Sequence, residues 1–220
     1  MRKIVVIADF FVEHILGGGE LNNEELINML REEHEVSKIQ SHKVTENYLN
    51  SNKNSFFIIS NFVNLSHKCR ESLTGLEYII YEHDHKYLKN RNPATYKDFK
   101  APPSEIVNYR FYKEAIAVLC QSEFHREIMQ KNLDIENIIN LGSTKSLELI
   151  RKLNKKEKKD VYSILNYKVK HKNAAEAVKF CKLKGLKYEL ISSGDHHTFL
   201  NSLSLNEKFI FNPKTPETLS

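Results

Sequence analysis

The chain has 220 residues, 40% of them hydrophobic, no Trp and a net charge of +5, enough apolar material for one large or two small packed domains. No apolar run approaches the roughly 18 residues of a membrane-spanning helix, and the opening run breaks at Asp9, too early for a signal peptide. Cys69, Cys120 and Cys181 are far apart with no Cys-x-x-Cys pair, which argues against a disulfide framework or a zinc knuckle and fits a reducing cytoplasm with buried thiols.

From the N-terminus, Ile4–Ala8 predicts a strand. Leu21–Glu33 predicts a helix, with Leu26, Ile27 and Leu30 on one face. Glu20, Glu24 and Glu25 sit near its start, where the helix dipole favours acids. Glu35–Ile39 reads as a short strand, and Phe56–Ile59, Tyr78–Tyr81 and Ala115–Cys120 are compact apolar runs. A helix over Glu123–Lys131 and a weak strand within Ile135–Leu141 follow. Short apolar runs between helical patterns, without clean alternation, predict an α/β fold with a mainly parallel sheet.

Arg151–Asp160 is Lys-rich and reads either as an inter-domain connection or as a solvated helix end. The pattern then restarts: strand Val161–Leu165, helix Asn173–Lys184, Gly185 in the place of a helix-terminating glycine, and strands at Tyr188–Ile191 and Phe209–Phe211. The domain expectation is therefore 1–150, a linker at 151–160, and 161–220. Charge follows the same division. Residues 1–141 carry 17 basic and 20 acidic side chains, and residues 142–220 carry 16 and 8. The second part is thus expected to meet an anion: nucleic acid, a membrane surface or a nucleotide.

Four stretches hold chemistry. "LGGGEL" places Gly17, Gly18 and Gly19 before Glu20 and a helix, where bare backbone can approach a ligand. The spacing is wrong for a dinucleotide fingerprint, and a flexible loop is the plain alternative. "YIIYEHDHKYL" puts Glu82, His83, Asp84 and His85 at the end of a strand, where open α/β sheets bind ligands. A His-x-His pair can bind zinc, but no further ligand set stands nearby in sequence, so no metal is expected. "NYKVKHKN" clusters Lys168, Lys170 and Lys172 just before a helix. Cations are disfavoured there unless an anion such as a diphosphate lies between them and the helix amides; a solvated basic loop is the alternative. "FNPKTPETLS" leads an apolar run into a Pro-bounded loop with Glu217.

In this order the stretches resemble a retaining glycosyltransferase of the GT-B fold, close to glycosyltransferase family 4. "IVVIADFFVEHILGGGE" is similar to the family's first strand and Gly-Gly-x-Glu loop, "YIIYEHDH" to its strand ending in His-Asp, and "AVLCQSEFHREIM" to the strand, Ser and helix that follow. "IINLGST" resembles the exit from the first domain, "YSILNYKVKHKNAAEAVKF" the opening of the donor domain, and "FIFNPKTPETLS" the segment with the first Glu of a Glu-x7-Glu motif. The resemblance implies two Rossmann-like domains, the second incomplete. Its second Glu has no counterpart, and Asn173 stands where the family usually has Gly. A fragment, a naturally reduced form and half of a split enzyme all stay open.

The implied activity is a hexosyltransferase-type transfer from a nucleotide-diphosphate sugar to an unknown acceptor hydroxyl, on a glycan, lipid or protein, without metal or cofactor. The resemblance points to His83 as catalytic, to Lys168, Lys172 and Glu217 as donor-binding, and to Gly17, Gly18, Gly19 and Glu20 as a loop for donor phosphate or acceptor. A cytoplasmic place, or a peripheral one at a membrane surface, is expected, as is a partner chain completing the donor domain. The rival readings are a non-catalytic nucleotide-, sugar- or partner-binding relative and, less favoured, a nucleic-acid-binding module, for which no aromatic-interleaved basic motif is present.

Overall fold

Each apolar run of the first half becomes a strand. The computed structural model describes residues 2–15, 17–142, 161–165 and 173–191. The strands are β1 Lys3–Ala8, β2 Glu35–Gln40, β3 Phe56–Ile59, β4 Tyr78–Tyr81, β5 Ala117–Cys120 and β6 Ile138–Asn140. All five pairings are parallel, in the order β2-β1-β3-β4-β5-β6. The chain leaves β1 to one side for β2 and continues on the other side with β3. The carboxyl ends of β1 and β3 therefore flank a topological switch point of this Rossmann-like α/β sheet.

A parallel sheet must be covered on both faces, and the period of two sorts the strand residues accordingly. Val5, Ile7, Phe57, Ile59, Tyr78, Ile80 and Val118 face a core closed by the helices α2 Glu46–Ser51, α3 His67–Leu73, α4 Tyr109–Lys113 and α5 Glu123–Leu133. Ile4, Val6, Ala8, Ile58 and Tyr81 face the opposite way, onto Ile27 of α1 (Gly18–Arg31), with Leu26 and Leu30 alongside. At the far edge on this second face Leu119 is only partly buried, and Ile139 is 51% exposed.

Helices α2, α3 and α4 have no counterpart in the sequence reading. They span six, seven and five residues, too short to display a helical period. Two start on oxygens that cap them: Thr45 accepts from the Tyr48 amide, and Ser66 from the Cys69 amide. All three cysteines are free and buried, as expected.

The chain divides into two compact units, residues 1–145 and 146–220. In the second, β7 Tyr162–Leu165 and β8 Tyr188–Ile191 pair in parallel, with α6 Ala174–Leu183 between them in the chain. Ala174, Val178 and Cys181 face Ile164 and Leu190, and Gly185, at φ +63°, follows the helix in a left-handed conformation. The Lys-rich segment 151–160, Lys168, Lys172, the run 209–211 and Glu217 lie outside the described residues. Among those described, no helix is long and apolar enough to cross a membrane.

Asp9, which ends the first apolar run, is 3% exposed. Its carboxylate accepts from the Ser41 hydroxyl and, at 2.9 Å each, from the amides of Val63 and Asn64. It thus ties the ends of β1, β2 and β3 together at the carboxyl edge. Asp9→Ala removes acceptors from three donors, and urea unfolding should show a loss of about 2–4 kcal/mol. A loss under about 1 kcal/mol would mean that water replaces the carboxylate there.

Candidate functional site

The glycines are a helix start rather than a loop. Gly17 is the N-cap of α1, and Gly18 and Gly19 already lie in its first turn, so the helix begins three residues before the predicted Leu21. The apolar period could not reveal this, because glycines carry no period. No side chain caps the helix through a hydrogen bond. Instead Glu20 folds back, and a side chain at position 17 would collide with its carboxylate. An acid already occupies the positive end of the helix dipole, so an incoming anion would have to displace Glu20.

The cluster after β4 is built around Glu82, which is fully buried. Its carboxylate accepts from Lys86 Nζ at 3.1 Å, from the Asp84 amide at 2.8 Å and from the Tyr112 hydroxyl of α4. Burial alone would raise the Glu82 pKa, but Lys86 and these donors outweigh it and bring it to about 2. Lys86 is 3% exposed, lies over the Phe62 ring and also pairs with Asp84, whose other oxygen meets Arg91 at 3.2 Å. Burial works against the Lys86 charge, yet the two carboxylates hold its pKa above the ordinary value. Glu82 is therefore a structural anion with no surface open to water.

His83 and His85 do not share a face. β4 ends at Tyr81, and His85 adopts φ +57°, which breaks the strand geometry between them. His83 turns toward α1 and β5. Its Nε2 lies 2.8 Å from Asn23 Oδ1, its Nδ1 meets the Gln121 amide nitrogen, and its ring packs on Tyr81 with centroids 4.4 Å apart. Gly19 sits against it: a Cβ there would stand 3.7 Å from His83 Cγ. His85 instead bonds the Tyr87 hydroxyl at 2.8 Å and packs edge-on against His125 of α5, with centroids 4.4 Å apart. Burial, then Lys86, brings His83 to about 4; burial, then His125, does the same for His85. Burial also lowers His125.

Of the predicted site, the structure brings Gly19 close to His83 at the carboxyl end of the sheet, near enough that an added Cβ would touch the ring. Asn23, Gln121, His125 and Asp9 were missed. Asn23 had a readable signal, since it stands four residues before Ile27 on the buried face of α1 and is polar where an apolar residue is expected. Gln121 had none beyond following a strand. Near the same edge, Ser60 Oγ, Asn61 Oδ1 and His125 Nε2 are buried without a hydrogen bond among the described residues. No group of three or more His, Cys, Asp or Glu there is arranged to hold a metal ion. A surface groove of about 530 Å³ lies elsewhere, between α3 and α4, and is lined by Arg70, Tyr109, Arg110 and Phe111 rather than by this cluster.

No protein-family model and no curated protein sequence matches the chain. Among solved structures it is similar to an alpha-glucosyltransferase in complex with UDP and a 13-mer DNA containing a central A:G mismatch, at 11% identity and TM-score 0.48, over 93% of this chain and 59% of that one. It is also similar to UDP-GlcNAc 2-epimerase from Methanocaldococcus jannaschii, at 12% identity and TM-score 0.49, over 100% of this chain and 75% of that one. The chain thus spans 59% of the length of that glucosyltransferase.

The buried groups set an acid limit on stability. His83 and His85 fall from 6.5 to about 4 on folding, so between those values the unfolded chain binds more protons and stability drops as pH falls. Glu82, lowered from 4.5 to about 2, contributes stability above 4.5 that is lost as pH falls toward 2. Urea midpoints should therefore decline from pH 7.5 to pH 4, and His83→Gln with His85→Gln should flatten the upper part of that decline; a flat wild-type profile would contradict it. Glu82→Gln should cost about 3–5 kcal/mol at pH 7, because it breaks a buried ion pair on one side only.

Proposed function

We propose that the chain serves glycosyl transfer, moving a sugar from a nucleotide-diphosphate sugar to an acceptor hydroxyl without a metal and with retention at the anomeric carbon. The observation that carries this reading is the approach of Gly19 to His83 at the carboxyl edge of the sheet. It joins two motifs 64 residues apart in the sequence, each of which resembles a glycosyltransferase element, at the edge where such sheets bind ligands. The orphaned polar atoms of Ser60 and Asn61 near that edge are suited to sugar or phosphate hydrogen bonds.

In this reading the departing diphosphate gains negative charge, and Lys168, Lys172 and the amides at the start of α6 stabilise it, so that no divalent cation is needed. Glu217 accepts hydrogen bonds from ribose or sugar hydroxyls. His83 borders the transferred sugar as a neutral ring rather than as a proton carrier, because both of its nitrogens are engaged. The start of α1 takes acceptor or donor phosphate once Glu20 swings aside. A second reading, a binding protein without turnover, is favoured by that same engagement of His83 and by the Glu20 carboxylate at the helix start.

Calorimetric titration with UDP, GDP and their sugars separates the possibilities. Saturable, base-selective binding that falls little with salt supports a nucleotide-sugar site, whereas a steep salt dependence indicates nucleic acid. Lys172→Ala should weaken donor binding about tenfold or more with the fold intact, the scale of one lost charge-assisted hydrogen bond. His83→Ala should abolish turnover while largely keeping donor binding. Donor binding without turnover in the wild type would establish the second reading.

A further inference from the structure

We infer that Asn23 and Gln121 are positioning residues that hold His83 in a single tautomer, with the proton on Nε2, and so bind the glycine-led start of α1 to the ends of β4 and β5. The geometry is complementary. Asn23 Oδ1, 2.8 Å from Nε2, can only accept, so Nε2 must carry a hydrogen. The Gln121 amide nitrogen can only donate, so Nδ1 must present its lone pair. A neutral imidazole has one donor and one acceptor, and each is used once. The opposite tautomer would set donor against donor at Nδ1 and acceptor-only groups against each other at Nε2. The imidazolium would still clash at Nδ1.

The two amides come from different elements. Asn23 is 2% exposed on α1, one turn after Gly19. Gln121 lies in the turn between β5 and the Ser122 cap of α5. Tyr81 packs on the ring with centroids 4.4 Å apart, and a Cβ at Gly19 would stand 3.7 Å from its Cγ. The charges that act on it are Lys86, Glu82 and Asp84 of its own segment and His125 of α5. Lys86 opposes protonation and the two carboxylates favour it, so the amides decide the tautomer that the charges do not.

The test needs no ligand. In the chain labelled with ¹⁵N-histidine, two-bond proton–nitrogen spectra distinguish the tautomers, and the His83 signal is the one lost in His83→Ala. The expected result is a pure Nε2–H pattern, constant from pH 5 to 8. A mixed or Nδ1–H pattern overturns the inference. Asn23→Asp places a carboxylate at Nε2 and should raise the His83 titration by roughly 1–3 pH units. Gln121→Glu replaces the donor at Nδ1 by an acceptor and should move a proton onto Nδ1. Signals unchanged in both variants, with the fold retained, overturn it as well. The consequence for catalysis rests on the glycosyl-transfer reading. If the wild type turns over, Gln121→Glu should lower kcat at least tenfold, shift its pH profile and leave KM within about twofold, whereas a structural role alone would leave the profile in place. A wild type without turnover but with a pure Nε2–H signal ends that reading and leaves the positioning assignment standing.

Discussion

A carboxylate with no exposed surface stands at the end of the central strand β4, and the path of the chain beyond it follows from the need to neutralise it. An unpaired buried charge costs several kcal/mol, so Glu82 needs a cation and donors at close range. Lys86 supplies the cation from four residues on. Tyr112 supplies a hydroxyl from α4, reached only after the chain has run through residues 83–108 in short 3₁₀ turns. Tyr87 and Leu88 are buried along the way, and Leu88 bridges back to Ile106. Asn132 of α5 clips the outer part of this excursion through the Phe99 carbonyl and the Ala101 amide, each at 2.8 Å. The ion pair thus anchors the start of this irregular segment, and the Leu88 bridge and Asn132 hold the rest of it.

The consequence for the candidate site is a division of labour along five consecutive residues. Glu82 and Lys86 point inward and are structural. His83 and His85 diverge from that stem, one toward α1 and β5, the other toward α5. The left-handed backbone at His85 makes the divergence possible, since a continued strand would have put both rings on one face. His83 is held neutral because partial burial and then the charge of Lys86 disfavour the protonated ring, while its two nitrogens face one acceptor and one donor. Its place in a reaction would then be one of shape and hydrogen bonding, which a neutral ring serves at any pH above about 4.

Much of the sheet was legible from short apolar runs bounded by polar residues. Phe56–Ile59 and Tyr78–Tyr81 are strands with the expected bounds, and the helical face Leu26, Ile27 and Leu30 packs as read. The reason is that a parallel sheet buries both faces of each strand, which demands continuous apolar runs. The helices of five to seven residues were not legible, because fewer than two turns show no period. At the site, the residue types were visible but their roles were not. Glu82 and His83 are adjacent in the sequence, and nothing in that adjacency says that one is a buried anion and the other a hydrogen-bonded neutral ring.

By itself, then, the sequence determined the α/β class, the strands and the edge of the sheet where polar residues gather, since these depend on local hydrophobic pattern. Only the tertiary structure decided which of those polar residues meet. Asn23, Gln121 and Tyr112 reach the cluster from elements up to 60 residues away along the chain. Such contacts follow from strand order and helix docking, and no local pattern encodes them. The protonation states follow in turn from those contacts, because burial and hydrogen-bond partners, not residue type, set a buried group's pKa.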